Sequence, residues 1–111
     1  MKVVGVQIDN SRLPLGDMQV NTTTCYKVFM NYCIENYPPD ILLATPLNKY
    51  FKQGSLNPEF KRGIVYNRVV GHNFIFYSTY NSTYTKIKRM HFIADNLGIQ
   101  LHLLDDRGLF V

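Results

Sequence analysis

Apolar positions along this chain follow two spacings, one helical and one strand-like. Over residues 83–97, Tyr84, Ile87, Met90, Ile93, Ala94 and Leu97 fall on one side of a helical wheel. Lys88, Arg89, Asp95 and Asn96 fall on the other side, so a helix is predicted there. Ser82 or Thr83 is placed to cap its start, and Gly98 to end it. The flanking runs, FIFY at residues 74–77 and IQLHLL at residues 99–104, have the length and β-branched or aromatic content of buried strands. A strand, a crossover helix and a strand make a βαβ unit, whose handedness sends the strands parallel.

The first third reads the same way. Residues 2–8 (KVVGVQI) are nearly continuous in apolar character, as in a strand covered on both faces, and Gly5 within them marks a close backbone approach. Residues 9–20 are polar and irregular, long for a βα loop, and long loops in compact domains often carry function. Residues 22–37 predict a second helix, with Asn21 as cap and Cys25, Tyr26, Phe29, Met30, Cys33, Ile34 and Tyr37 over half the wheel. Pro38-Pro39 stops it, and DILLAT at residues 40–45 reads as the next buried strand.

Residues 46–62 carry the weakest pattern. LNKYFKQ has the content for a helical turn or two, and Gly54, Asn57 and Pro58 break it. Residues 64–70 and 74–77 flank Gly71-His72-Asn73, which allows a β-hairpin; otherwise residues 64–70 form an edge strand or an extended cover. Asp105-Asp106-Arg107-Gly108 turns the chain so that Leu109-Phe110-Val111 docks back. The expected whole is one α/β domain over residues 1–111. It is a small three-layer Rossmann-like fold, with a mostly parallel sheet of four or five strands and two main helices.

Composition narrows the class. At 111 residues, 46% apolar and 18% charged, the chain has the content for one core and too little charge for disorder. The net charge is +4, but it is unevenly spread: from Lys49 to Arg89 there are eight lysines and arginines against Glu59 alone. That asymmetry suggests an anionic partner. Cys25 and Cys33 on one helix stand about 12 Å apart, too far to bridge, which reads as buried thiols in a reducing compartment. No apolar run approaches the roughly 20 residues that span a bilayer, so the expected location is cytoplasmic, with no membrane partner.

The predicted parallel strands bring their C-terminal ends to one edge, where open α/β sheets bind ligands. Helix N-termini there favour a phosphate or carboxylate, and hydroxyls and arginines complete the cradle. The expected function is therefore binding of a nucleotide-like or other phosphate-bearing small ligand by Asn10, Ser11, Arg12, Thr79, Asn81, Ser82, Thr83 and Arg107. No cofactor is identified, because neither G-x-G-x-x-G nor G-x-x-x-x-G-K-[ST] occurs. Asp9, Asp105 and Asp106 would converge on the same edge, as metal-dependent phosphodiester chemistry needs, although acids at strand ends more often form turns. His72, His91 and His102 lack ligand spacing and read as structural.

Asn10-Ser11-Arg12 after the first strand, and Asp95-Asn96-Leu97-Gly98-Ile99 where a helix gives way to a strand, loosely resemble the small Rossmann-like nucleotide-binding domains of the SLOG superfamily. The resemblance covers the order of elements over most of the chain and implies nucleotide binding. That family's Gly-rich phosphate loop would fall at Ser78 to Thr83, where this chain has no glycine.

Two other readings come from different classes. Lys49, Lys52, Lys61, Arg62, Arg68, Lys86, Lys88 and Arg89 interleave with Tyr and Phe, the composition of a nucleic-acid-binding module. A small interaction or inhibitor protein without enzymatic activity also fits the size. Phe92, opposite the apolar stripe of its helix, would be covered in a homodimer.

Overall fold

The structure is a computed structural model that describes residues 1–55, 64–70 and 73–111. Its elements are β1 (Val3–Ile8), β2 (Ser11–Arg12), α1 (Thr22–Asn36), α2 (Pro39–Leu42), a 3₁₀ turn (Leu47–Lys49), β3 (Lys52–Ser55), β4 (Ile64–Val70), β5 (Asn73–Ser78), α3 (Thr83–Leu97) and β6 (Leu101–Asp105). The chain divides into two compact units, residues 1–29 with 81–111, and residues 30–80.

Both sheets are antiparallel, which overturns the Rossmann-like, mostly parallel expectation. In the first unit the strand order is β2-β1-β6, with Val6 opposite Leu103 and Ile8 opposite Leu101. In the second the order is β3-β5-β4. The physical reason is that β5 and β6, the two strands flanking α3, belong to different sheets, so no crossover joins them. The short connection after Gly98 instead returns β6 against β1. The hairpin reading of residues 64–70 and 74–77 agrees with the antiparallel β4–β5 ladder, although Gly71 and His72 lie outside the described residues.

DILLAT is not a strand. Pro39 opens α2 at a first-turn position where its missing N–H costs nothing, and Asp40 follows at the positive helix end. Leu42 is buried while Ile41 is 44% exposed, so the run buries one side chain per turn rather than both faces of a strand.

The helix ends follow local chemistry. Ser82 Oγ accepts from the Thr85 amide at 3.1 Å, and Gly98 closes α3 in the left-handed region at φ 69°. Asn21 Oδ1 caps α1 by accepting from the Thr24 amide at 2.8 Å. In the first unit the start of α1 hangs on β1: the Val3 amide donates to Thr22 Oγ1 at 2.9 Å, and Cys25 Sγ donates to the Val3 carbonyl at 3.6 Å. Its core holds Val6, Tyr26, Phe29, Met90, Ile93 and Leu103, all buried. In the second unit Ile34, Leu42, Phe51, Ile75 and Tyr77 are buried, and Tyr77 Oη donates to Asn31 Oδ1 at 2.7 Å.

Candidate ligand-binding site

Burial alternates along β1 and β6. Val6, Ile8, Leu101 and Leu103 are buried, whereas Gln7, His102 and Leu104 are half-buried and stand on the opposite face. Register turns that face into two rows. Gln7 lies between Arg12 on β2 and His102 on β6, and Leu104 lies between Gly5 on β1 and Phe110. Together these six residues line an open cavity of about 130 Å³.

Each wall has a local cause. Arg12 is brought over β1 by a two-residue hairpin loop, Asp9-Asn10, with both residues at positive φ (48° and 70°). Such a turn matches the strand twist, and Asp and Asn tolerate it better than other non-glycine residues. The Arg12 side chain then lies across Gly5, where a Cβ would meet its Nη2 at 2.6 Å. Phe110 is fixed from the other side. The Val111 amide donates to the Leu103 carbonyl at 2.9 Å, and the Asp105 amide to the Leu109 carbonyl at 2.8 Å. The Phe110 and His102 rings lie 5.0 Å apart, tilted by 32°.

Asp105 holds that return. Its Oδ1 accepts from the amides of Arg107 and Leu109, both at 2.9 Å, and its Oδ2 from Arg107 Nε and Nη2 at 2.8 and 2.6 Å. Burial acts to raise the Asp105 carboxyl pKa. The Leu109 amide and the Arg107 side chain and amide outweigh it and leave the pKa below the ordinary value.

Three polar side chains stand in a largely apolar lining. The side chains of Gln7, Arg12 and His102 make no hydrogen bond or ion pair among the described residues. No carboxylate lines it. The charge of Arg12 reaches inward as well: burial pushes the Cys25 thiol up to about 11 while Arg12 opposes that rise.

The residues expected to share one strand edge are separated by the antiparallel pairing. Asp9 follows Ile8 at one end of β1 and is bonded to Gln100, whereas Asp105 pairs with Val3 at the other end. Those acids therefore do not converge. Asn10, Ser11 and Arg12 form the β1–β2 hairpin. Asn81, Ser82 and Thr83 lie at the far end of α3, a 15-residue helix and so about 22 Å long. Ser82 Oγ also donates to Thr85 Oγ1 at 2.9 Å, so its hydroxyl serves the cap. Arg107 is 61% exposed and paired with Asp105, and Thr79 follows β5 in the second unit.

Of the basic residues, Lys61 and Arg62 lie outside the described residues, Arg68 stands on β4, and Lys49 and Lys52 are exposed in the second unit. Lys86 is only 4% exposed. Its Nζ donates to the Asn81 carbonyl and sits 5.9 Å over the Tyr26 ring. Burial, with the charge of Arg89, lowers its pKa. Lys88 is exposed, 5.3 Å over the Tyr84 ring, and Arg89 is half-buried. No helix among the described residues is long and apolar enough to cross a membrane.

Sequence reasoning found Arg12 but not its neighbours Gln7, His102, Leu104 and Phe110. The available signal was the single polar residue in each apolar run, Gln7 in VQI and His102 in LHL, which marks strands with one open face. No protein family, curated protein or solved structure matches this chain.

Proposed function

We propose that this protein binds a small phosphate-bearing ligand, nucleotide-like in character, on the open face of the β2-β1-β6 sheet. The observation that carries the reading is the convergence of three polar side chains without protein partners, Gln7, Arg12 and His102, on one cavity free of carboxylates. Arg12 is exposed and Gln7 and His102 are half-buried, so all three can exchange solvent for the oxygen and nitrogen atoms of a ligand. Arg12 supplies a fixed positive charge and a planar fork that matches phosphate oxygens, while Leu104 and Phe110 give the apolar surface that most small-molecule sites use.

The test is calorimetric titration with inorganic phosphate and with nucleotides, repeated on Arg12→Ala. A charge-assisted pair is worth about 1.5–3 kcal/mol, so the variant should bind more than tenfold more weakly. Unchanged affinity in a folded Arg12→Ala protein would remove the reading.

A further inference from the structure

We infer that the ligand carries a single six-membered planar ring beside its anionic group, as a pyrimidine mononucleotide does; this rests on the functional reading above.

The argument begins with the side chain that is missing. Gly5 and Leu104 face each other on β1 and β6, and Gly5 contributes only backbone to the cavity floor. On one side of that floor stands Arg12, on the other Phe110. From β2 across β1 and β6 to the Phe110 segment there are three strand spacings, about 14 Å. The Arg12 guanidinium itself covers Gly5, so a flat group can lie on Leu104 beside it, with its anion toward Arg12 and its ring toward Phe110.

The Phe110 ring is 62% exposed and meets His102 only at a tilt, so it has a face left to stack on. Aromatic side chains accept any base in this way. Gln7 and His102 occupy the adjoining row. An amide that both donates and accepts, beside an imidazole that does either, can pair with the polar edge of a heterocycle. A plain hydrocarbon ring would leave those groups unsatisfied.

Size gives a preference. An enclosed cavity of about 150 Å³ accepts one benzene ring, and this open one measures about 130 Å³. One six-membered ring covers it, whereas the second ring of a purine extends past its rim into solvent and gains less contact. Arg12, the permanently charged side chain of the lining, favours a negative sign for the remaining group.

The experiment is calorimetry on the whole chain with UMP, CMP, AMP, ribose 5-phosphate and inorganic phosphate, with NMR spectra confirming the fold of each variant. UMP or CMP should bind about fivefold or more tighter than ribose 5-phosphate, the lower end of what one stacked base contributes. AMP should bind more weakly than the better pyrimidine nucleotide. Phe110→Ala should remove most of the difference between UMP and ribose 5-phosphate, leaving the share of Gln7 and His102, and should leave ribose 5-phosphate itself unchanged. Equal affinity for UMP and ribose 5-phosphate overturns the ring while the anion site stands. AMP binding as tightly as UMP overturns the single-ring preference. No binding of any of the five, phosphate included, overturns the functional reading itself.

Discussion

The guanidinium of Arg12 lies across the backbone of Gly5, so close that a methyl group there would stand 2.6 Å from Nη2 and 3.2 Å from Cζ. The clash involves the far end of a flexible side chain, so Gly5→Ala displaces Arg12 rather than the strand. Because Gly5 has no positive φ, alanine also removes conformational freedom from the unfolded chain, a gain of about 0.4–1 kcal/mol. The expected variant is as stable as the parent or slightly more so, yet binds phosphate-bearing ligands several-fold more weakly. Melting curves and titrations on the same preparation check both halves. Full affinity in Gly5→Ala would mean that the guanidinium is not held where the ligand needs it.

Ser82 provides the contrast. Its hydroxyl caps α3, and capping losses cost about 1 kcal/mol. Ser82→Ala should therefore lower stability by about that amount in urea unfolding. Its ligand affinity should be that of the parent, since a helix length separates Ser82 from the β1–β2 hairpin. A weaker ligand affinity measured well below the melting temperature would extend the site to the start of α3.

Asp105 makes stability depend on acid. Its folded carboxyl titrates below the unfolded value, so its contribution is present above the unfolded pKa near 4 and is lost as pH falls through the lower folded value. Asp105→Asn keeps an acceptor for the Arg107 and Leu109 amides but loses the charge that Arg107 pairs with. It should melt several degrees lower at pH 7, and the gap to the parent should close as pH falls toward 2. Melting temperature against pH for the two proteins reads this directly; a gap of constant size would contradict the account of what holds the carboxylate.

Local chemistry was the legible part of this chain. Ser82, Gly98 and Asn21 act through bonds to residues a few positions away, so their roles could be read from spacing alone. Gly5 was legible as a close approach, but not what approaches it. Strand partners were illegible, because a six-residue apolar run does not encode whether it pairs with the next strand or with one from the far end of the sequence. That ambiguity turned β5 and β6, which lie in different sheets, into the two strands of a supposed βαβ unit. His102 was dismissed for the same reason: only the pairing of β6 with β1 places it beside Gln7. Residues 40–45 failed differently. Their apolar content suits strand or helix, and Pro39 in a first-turn position was the deciding cue.

The β1–β6 ladder also sets when this protein becomes competent. Gly5 meets Leu104, and Leu104 meets Phe110, so the cavity is built from segments that leave the ribosome far apart in time. During translation β1 waits with one edge unpaired, closing the loop is entropically costly, and contacts of such sequence separation form late. A chain cut anywhere between β2 and β6 keeps Arg12 and Gly5 but has no His102, Leu104 or Phe110 to complete the cavity. A ligand bound there would then mark chains in which β6 has closed on β1, and by binding only those it would protect them from reopening.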